Sequence, residues 1–261
     1  PPAAGPRDLV LDSSHLWLTI HESIGHSTEL DRVLGYEANM AGTSFATTDK
    51  LGALRYGGPN MTIYADRTTP GGLATCGYDD DGVSTQRWDL IKDGVLISYQ
   101  TVRDQLGLPG FTGNRSSGCS YADSWASVPF QRMPNVSLAP GKAPLNLAQL
   151  IQSTQEGIYI QGTGSYSIDH QRKNFQFGGD FFWEIKNGKL TRPLRDVAYQ
   201  SNTLEFWPKM DAICDASEWR MYGSLFDGKG EPGQANPVSH GCAPARFRQV
   251  AVLDVSGSPR S

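Results

Sequence analysis

Between residues 12 and 29 the apolar positions recur at helical spacing. Leu16, Trp17, Ile20 and Ile24 form one stripe, and Asp12, Ser13 and Ser14 offer side-chain oxygens to cap its start. A helix is predicted here with one flaw: Gly25 sits inside it, at a cost of about 1 kcal/mol relative to alanine. Beyond this stretch the pattern shortens to that of strands. Residues 61–64 and 95–102 are rich in β-branched and aromatic side chains. Turn signals separate such runs: Gly57-Gly58-Pro59, Pro70-Gly71-Gly72, Asp81-Gly82, Asp93-Gly94 and Asn187-Gly188. Residues 175–186, followed by Asn187-Gly188 and then Lys189-Leu190, predict a hairpin. Residues 146–155 predict a second helix with Leu147, Leu150 and Ile151 as its buried stripe. The 29 glycines and 16 prolines are spread evenly, without an internal repeat or a low-complexity segment. The expectation is an α+β chain that is mainly β, forming a single domain over 1–261.

Composition narrows the function classes. Hydrophobic residues make up 38% and charged residues 19% of the 261, as in an ordinary globular protein with a sizeable core. A formal net charge of −4, with no long charge run, gives no reason to expect nucleic-acid binding. The longest apolar stretch, around Leu16 to Ile20, is far too short to span a bilayer. The opening Pro-Pro-Ala-Ala-Gly-Pro has neither the basic start nor the apolar segment of a signal peptide and reads as linker over 1–10. Cys76, Cys119, Cys214 and Cys242 are too sparse for a disulfide scaffold, which points to reduced thiols and a cytoplasmic setting. The sequons at Asn60, Asn114 and Asn135 are then chance matches.

The strongest chemical signal is the run His21-Glu22-Ser23-Ile24-Gly25-His26. Two imidazoles close in sequence can hold a divalent metal, and a carboxylate beside the first can activate a water. The common zinc-peptidase pattern spaces its histidines four apart on one helical face. Here the spacing is five, which on a regular helix turns the rings about 140° apart. A single π-helical turn, or unwinding near Gly25, would realign them. Alone, two histidines and a glutamate in such a window are more often surface or core residues.

The remainder of the chain changes that weighting. His21 to His26, together with Thr-Gly-Asn-Arg-Ser-Ser-Gly-Cys-Ser-Tyr at 112–121 and Gln-Arg-Met-Pro-Asn-Val-Ser-Leu-Ala-Pro-Gly at 131–141, resembles successive blocks of the TldD/PmbA metallopeptidases. So do Gly-Ile-Tyr-Ile at 157–160, Lys-Asn-Gly-Lys-Leu-Thr-Arg-Pro-Leu at 186–194 and Phe-Asp-Gly-Lys-Gly-Glu-Pro-Gly-Gln at 226–234, in the same order. The resemblance implies a TldD-like C-terminal catalytic domain with a strongly curved, barrel-like antiparallel sheet and a metal-bearing N-terminal helix. It implies peptide substrates and a dimer, either of identical chains or with a related TldE/PmbA-like subunit. Family members usually carry an additional α/β domain before the HExxxH helix; the linker-like start fits its residence on a separate chain or its removal.

Catalytic members of the family hold zinc with two histidines and a cysteine, and the position matching that cysteine here is Asp227. A carboxylate oxygen can ligate zinc, although a harder donor weakens selection for zinc over iron or manganese. Three readings stay open. Asp227 is a working ligand, the Cys242 thiolate replaces it, or the site is weakened. Their bland counterparts are a turn aspartate before Gly228 and a small buried hydrophobe. In the expected mechanism Glu22 is the general base. His240 is a candidate for steadying the oxyanion, against the commoner solvated histidine in a turn; His15 is read as structural and His170 as exposed. Two other functions compete. One is an oxygenase-like metalloenzyme with a His-His-Asp set, which has no need of the adjacent Glu22; the other is a non-catalytic partner subunit, against which the retained His21, Glu22 and His26 argue.

Overall fold

Asp12 ends a strand and starts a helix, and from that junction the site is built. The computed structural model describes residue 2, residues 4–108 and residues 115–257; the sequon at Asn114 and the first three residues of the 112–121 block lie outside them. In chain order the strands are β1 (Gly5–Leu11), β2 (Ile63–Asp66), β3 (Arg87–Lys92), β4 (Val95–Leu96), β5 (Ser120–Tyr121), β6 (Phe130–Gln131), β7 (Asn135–Leu138) and β8 (Glu156–Gln161). They continue as β9 (Tyr166–Ile168), β10 (Asn174–Phe177), β11 (Phe181–Lys186), β12 (Lys189–Leu194), β13 (Val197–Asn202), β14 (Met210–Ile213), β15 (Arg220–Lys229), β16 (Gln234–Cys242) and β17 (Ala245–Asp254). The helix α1 (Ser13–Ile20) follows β1 directly.

The expectation of a mainly β fold around an N-terminal helix holds. A strongly curled nine-stranded sheet runs β12-β11-β8-β1-β17-β13-β10-β9, with β14 also on β17. It is mixed rather than wholly antiparallel, because β1 pairs with β8 in parallel from Asp8 against Gly157 to Leu11 against Ile160. Bulges supply curl. The register between β1 and β17 slips between Arg7 and Leu9, and Gln249 opposite adopts a φ of 49°. There one edge of β17 changes partner, from β14 at Ala245–Phe247 to β13 at Ala251–Asp254.

The linker reading of 1–10 is corrected. Gly5–Leu11 is a strand paired on both sides, and Leu9, Val10 and Leu11 are fully buried. The flanking proline and glycine disguised a short apolar run whose partners are distant in sequence. The other elements follow the pattern more closely. Asn187 (φ 51°) and Gly188 (φ 70°) close the β11–β12 hairpin, with Lys186 opposite Lys189, and the left-handed backbone there explains the Asn-Gly pair. The predicted strand at 61–64 is observed as β2, whereas only Val95 and Leu96 of 95–102 join a ladder. The second predicted helix spans Leu147–Gln152, capped by the Asn146 side chain on the Gln149 amide at 2.9 Å, and buries Leu150 fully. The four cysteines are free thiols.

Helix α1 is held between the large sheet and the β15–β16 hairpin, with β7 also against it. Behind it lies an aromatic cluster in which Phe206 stacks on Phe247 at 4.2 Å and on Tyr199 at 5.9 Å, with Phe175, Phe177 and Trp207 around them. Gly241 on β16 is a close approach: a Cβ there would overlap the indole of Trp219, whose Nε1 donates to the Leu138 carbonyl at 3.2 Å. Gly241→Ala is therefore expected to destabilise the fold by about 1–3 kcal/mol through overpacking. Urea denaturation measures this, and an unchanged midpoint would show that Trp219 moves freely.

Candidate metal centre

The helix does not remain regular through the motif. After α1 ends at Ile20, His21–Gly25 form a π-helical turn in which the His26 amide donates to the His21 carbonyl five residues back; a short 3-10 segment, His26–Thr28, follows. Widening one turn by one residue realigns positions five apart, and the two imidazole centroids lie 4.6 Å from each other. Side chains receive the carbonyls that the distortion loosens. Gln100 Nε2 donates to the Gly25 carbonyl, and Thr28 Oγ1 donates to that of Ile24 at 2.8 Å. Trp207 Nε1 donates to Ser23 Oγ at 3.0 Å and anchors the turn to the aromatic cluster. Gly25 has a second reason to lack a side chain, because a Cβ would strike the thioether of Met133.

His21, Glu22 and His26 are all buried, and each offers a ligand atom within 4.8 Å of the others. Asp227 arrives from β15, its Oδ1 standing 3.7 Å from His21 Nε2 and 3.6 Å from His26 Nε2. Those distances are too long for hydrogen bonds. Hydrogen bonding behind the rings shows which nitrogens carry lone pairs. His240 Nδ1 is 2.8 Å from the Val136 carbonyl, which can only accept, so the proton of a neutral His240 lies there. His240 Nε2, 2.8 Å from His21 Nδ1, must then accept from it, leaving the lone pair of His21 on Nε2. His26 Nδ1 donates to Glu29 Oε2 at 2.8 Å, which likewise leaves Nε2 free. Two imidazole lone pairs and one carboxylate oxygen thus converge with no proton between them, a donor set that fits a divalent cation.

The electrostatics of the chain agree. Burial pushes the His21 pKa down to about 3 with help from the Arg172 cation, and burial and Arg172 hold His26 well below its usual value, so both rings are neutral. Burial raises Asp227 to about 6, with Glu29 adding to the rise and Arg132 opposing it. Burial also raises Glu22 to about 6, against the pull of Arg172. Glu29 is held well below the ordinary range despite its burial, by Lys229, His26 and Arg32. Lys229, itself buried, lies 3.2 Å from Glu29 and 2.7 Å from Asp31. Arg132 donates to both the carbonyl and the carboxylate of Asp227, which fixes the strand where that side chain enters.

Two expectations change. The Cys242 thiol points at the Ser13 carbonyl, 3.6 Å away in the first turn of α1 and two helical turns before His21. Burial raises its pKa strongly, so it is a neutral thiol at the wrong end of the helix. His240 is neither solvated nor directed at the cavity; both of its ring nitrogens are committed, so it orients His21 rather than meeting an oxyanion. His15 is structural, bonded to the Gly162 carbonyl and the Tyr199 hydroxyl, and His170 is exposed. Sequence reasoning missed Glu29, Lys229 and Arg172. Glu29 lies three residues after His26 and Lys229 two after Asp227 along a strand, spacings that place each pair on one face. Arg172, in the turn between β9 and β10, pairs with Glu22 and had no signal in the sequence.

Comparison with known proteins places the chain in a family. Residues 4–253 match the model of the PmbA/TldA metallopeptidase C-terminal domain. The chain belongs to the TldD/PmbA family. A metalloprotease of Methanothermobacter thermautotrophicus is 30% identical over 252 residues, 97% of this chain and 51% of that protein. A zinc metalloprotease TldD homolog of Saccharolobus solfataricus is 25% identical, over 96% of this chain and 52% of its own length. Among solved structures, TldE of Thermococcus kodakarensis superposes with a TM-score of 0.74 at 16% identity, covering 97% of this chain and 51% of that one. The chain therefore spans about half the length of the relatives it matches. Among the described residues no helix is long and apolar enough to cross a membrane.

Proposed function

We propose that this chain carries the catalytic centre of a metal-dependent peptidase acting on unfolded peptides or peptide-like molecules. The observation that carries the reading is the convergence of His21 Nε2, His26 Nε2 and Asp227 Oδ1 with the neighbouring Glu22 facing the same cavity. The relatives' names, metalloprotease and zinc metalloprotease, support it. Those three atoms would hold the metal, and the cation would supply Lewis-acid polarisation of the scissile carbonyl and acidify a nearby water. Zinc is the first candidate, and the oxygen donor of Asp227 widens the choice to iron and manganese.

The protein groups divide the remaining work. Glu22 takes a proton from the attacking water and returns it to the departing amine. Arg172 opposes the effect of burial on Glu22 and favours its ionised form. His240 and Glu29 keep the two imidazoles in the tautomer that presents Nε2. A TldE-like fold in the T. kodakarensis structure supports, as a further part of the proposal, pairing with a related subunit or with a second copy.

Metal analysis of the purified protein tests the reading. About one equivalent of zinc, iron or manganese per chain is expected, falling to background in a His21→Ala/His26→Ala variant and dropping in Asp227→Ala. Asp227→Cys should retain zinc more tightly than the wild type, since a thiolate is the softer donor. Wild-type protein that stays empty in all three metals, or a double variant that keeps its metal, would overturn the assignment.

A further inference from the structure

A second cavity, of about 730 Å³, opens between the loop at 36–40, the segment at 123–130 and the turn that joins β15 to β16. It shares no described lining residue with the cavity of the metal centre. The charged residues that line it are Asp31, Glu37, Asp123 and Glu231, all of them acidic. Three have an ordinary setting. Asp31 is met by Lys229 at 2.7 Å, Asp123 accepts from Ser127 Oγ at 2.7 Å, and Glu231 is exposed to water. Glu37 is different. The residue is only 9% exposed, its Oε2 is sealed from water and meets no donor, and no ion pair reaches its carboxylate among the described residues. The loop holds it in place, because the Glu37 carbonyl accepts from the amides of Met40, Ala41 and Gly42 at 2.8–3.1 Å.

Charge pairing behind the cavity shows what is missing. Arg32 pairs with Glu29 at 3.4 Å, and Lys229 bridges Glu29 and Asp31. Glu37 is the third buried carboxylate of this group, and neither cation bonds to it. A buried carboxylate without donors is costly, and a ligand that brings one positive charge with N–H donors relieves the cost. A bare metal ion fits poorly, since it needs several converging oxygens. Among the described residues, the group with three such ligand atoms close together is His21, Glu22 and His26, in the other cavity. The remaining lining favours an organic cation. Tyr36, Met40 and Val128 line the space while exposed, and the ring of Phe130 lies partly buried beside them. The methylene stem of a long basic side chain covers apolar surface of this kind, and an aromatic face attracts its charged head. The volume exceeds that of a head and stem, which leaves room for the backbone carrying them.

We propose that this cavity receives a lysine or arginine side chain of a polypeptide, with its cationic head against Glu37 and its stem along Tyr36, Met40 and Phe130. The site stands apart from the metal centre and does not rest on the peptidase reading. Arginine is the better fit, because its planar fork can bond both carboxylate oxygens at once.

The test compares charged and neutral versions of one shape. Nα-acetyl-arginine methylamide and its citrulline counterpart, in which a neutral urea replaces the guanidinium, are titrated by calorimetry into the protein at low salt. The arginine compound is expected to bind at least about tenfold more tightly. Glu37→Gln should shrink that preference to less than about twofold, since the amide keeps the shape and loses the charge. The same substitution removes an unpaired buried charge, so its Tm should equal or exceed that of the wild type. A lower Tm, or a variant that fails to fold, would show that the carboxylate already has a partner and overturns the proposal. Equal binding of the two amides, or a preference that survives Glu37→Gln, overturns it as well. n-Butylguanidinium, a head and stem without backbone, should bind several-fold more weakly than the arginine compound; equal affinity overturns the polypeptide source in favour of a free alkyl cation. Calcium that displaces the arginine compound at equal concentration overturns the choice of an organic cation. No arm requires hydrolysis, so the outcome is independent of the metal centre's activity.

Discussion

Glu22→Gln is expected to leave the metal content at the wild-type level and, on the proposed mechanism, to lower kcat on peptide substrates by about 10²–10⁴-fold, the usual worth of a positioned general base. The amide is nearly isosteric and still accepts from Arg172 through its carbonyl oxygen, so the cavity keeps its shape. What it loses is the capacity to take a proton. The two imidazoles are oriented by His240 and Glu29, neither of which the substitution touches, so the cation site survives. Steady-state hydrolysis paired with metal analysis of the same preparation measures both quantities. Turnover within a factor of three of wild type at full occupancy would remove Glu22 from the chemistry.

The second large effect is on stability. Lys229→Met is expected to destabilise the protein by about 3–5 kcal/mol, because it leaves Glu29 and Asp31 buried together without their shared cation. For a chain of this size that corresponds to a fall in Tm of roughly 6–20 °C. The damage should reach the metal as well. A Glu29 driven to protonate presents less negative charge to His26 Nδ1, and loss of such outer support commonly lowers metal affinity about 10–100-fold. Adding Asp31→Asn to Lys229→Met should recover part of the stability by removing one stranded charge. Thermal unfolding of the metal-free single and double variants decides it; a single variant within 1 kcal/mol of wild type would mean that water reaches this cluster.

The residues of the centre were legible to different depths. His21, Glu22 and His26 stood out because chemistry and spacing coincide within six residues, and the mismatch of five positions against helical geometry pointed to a distorted turn before any coordinates. Asp227 could be placed only through the resemblance, since nothing in an Asp-Gly pair distinguishes a ligand from a turn. His240 was visible as a residue and misread in role, because its register on β16, opposite Tyr222, depends on strand pairing. Arg172 was invisible: its approach to Glu22 is made by a polar turn 150 residues away. The same limit explains β1. Three apolar residues after a proline carry little local signal, and only the partners at 156–161 and 245–254 make them the middle of a sheet.

The π-helical turn also bears on how the centre comes into being. Its Gly25 carbonyl is received by Gln100, and its Ser23 hydroxyl is tied to Trp207, so the wide geometry depends on segments far along the chain. Without those partners a regular helix over the same residues would splay the two rings. The proposed metal grip therefore depends on residues from the middle and the last third of the polypeptide as much as on the motif itself.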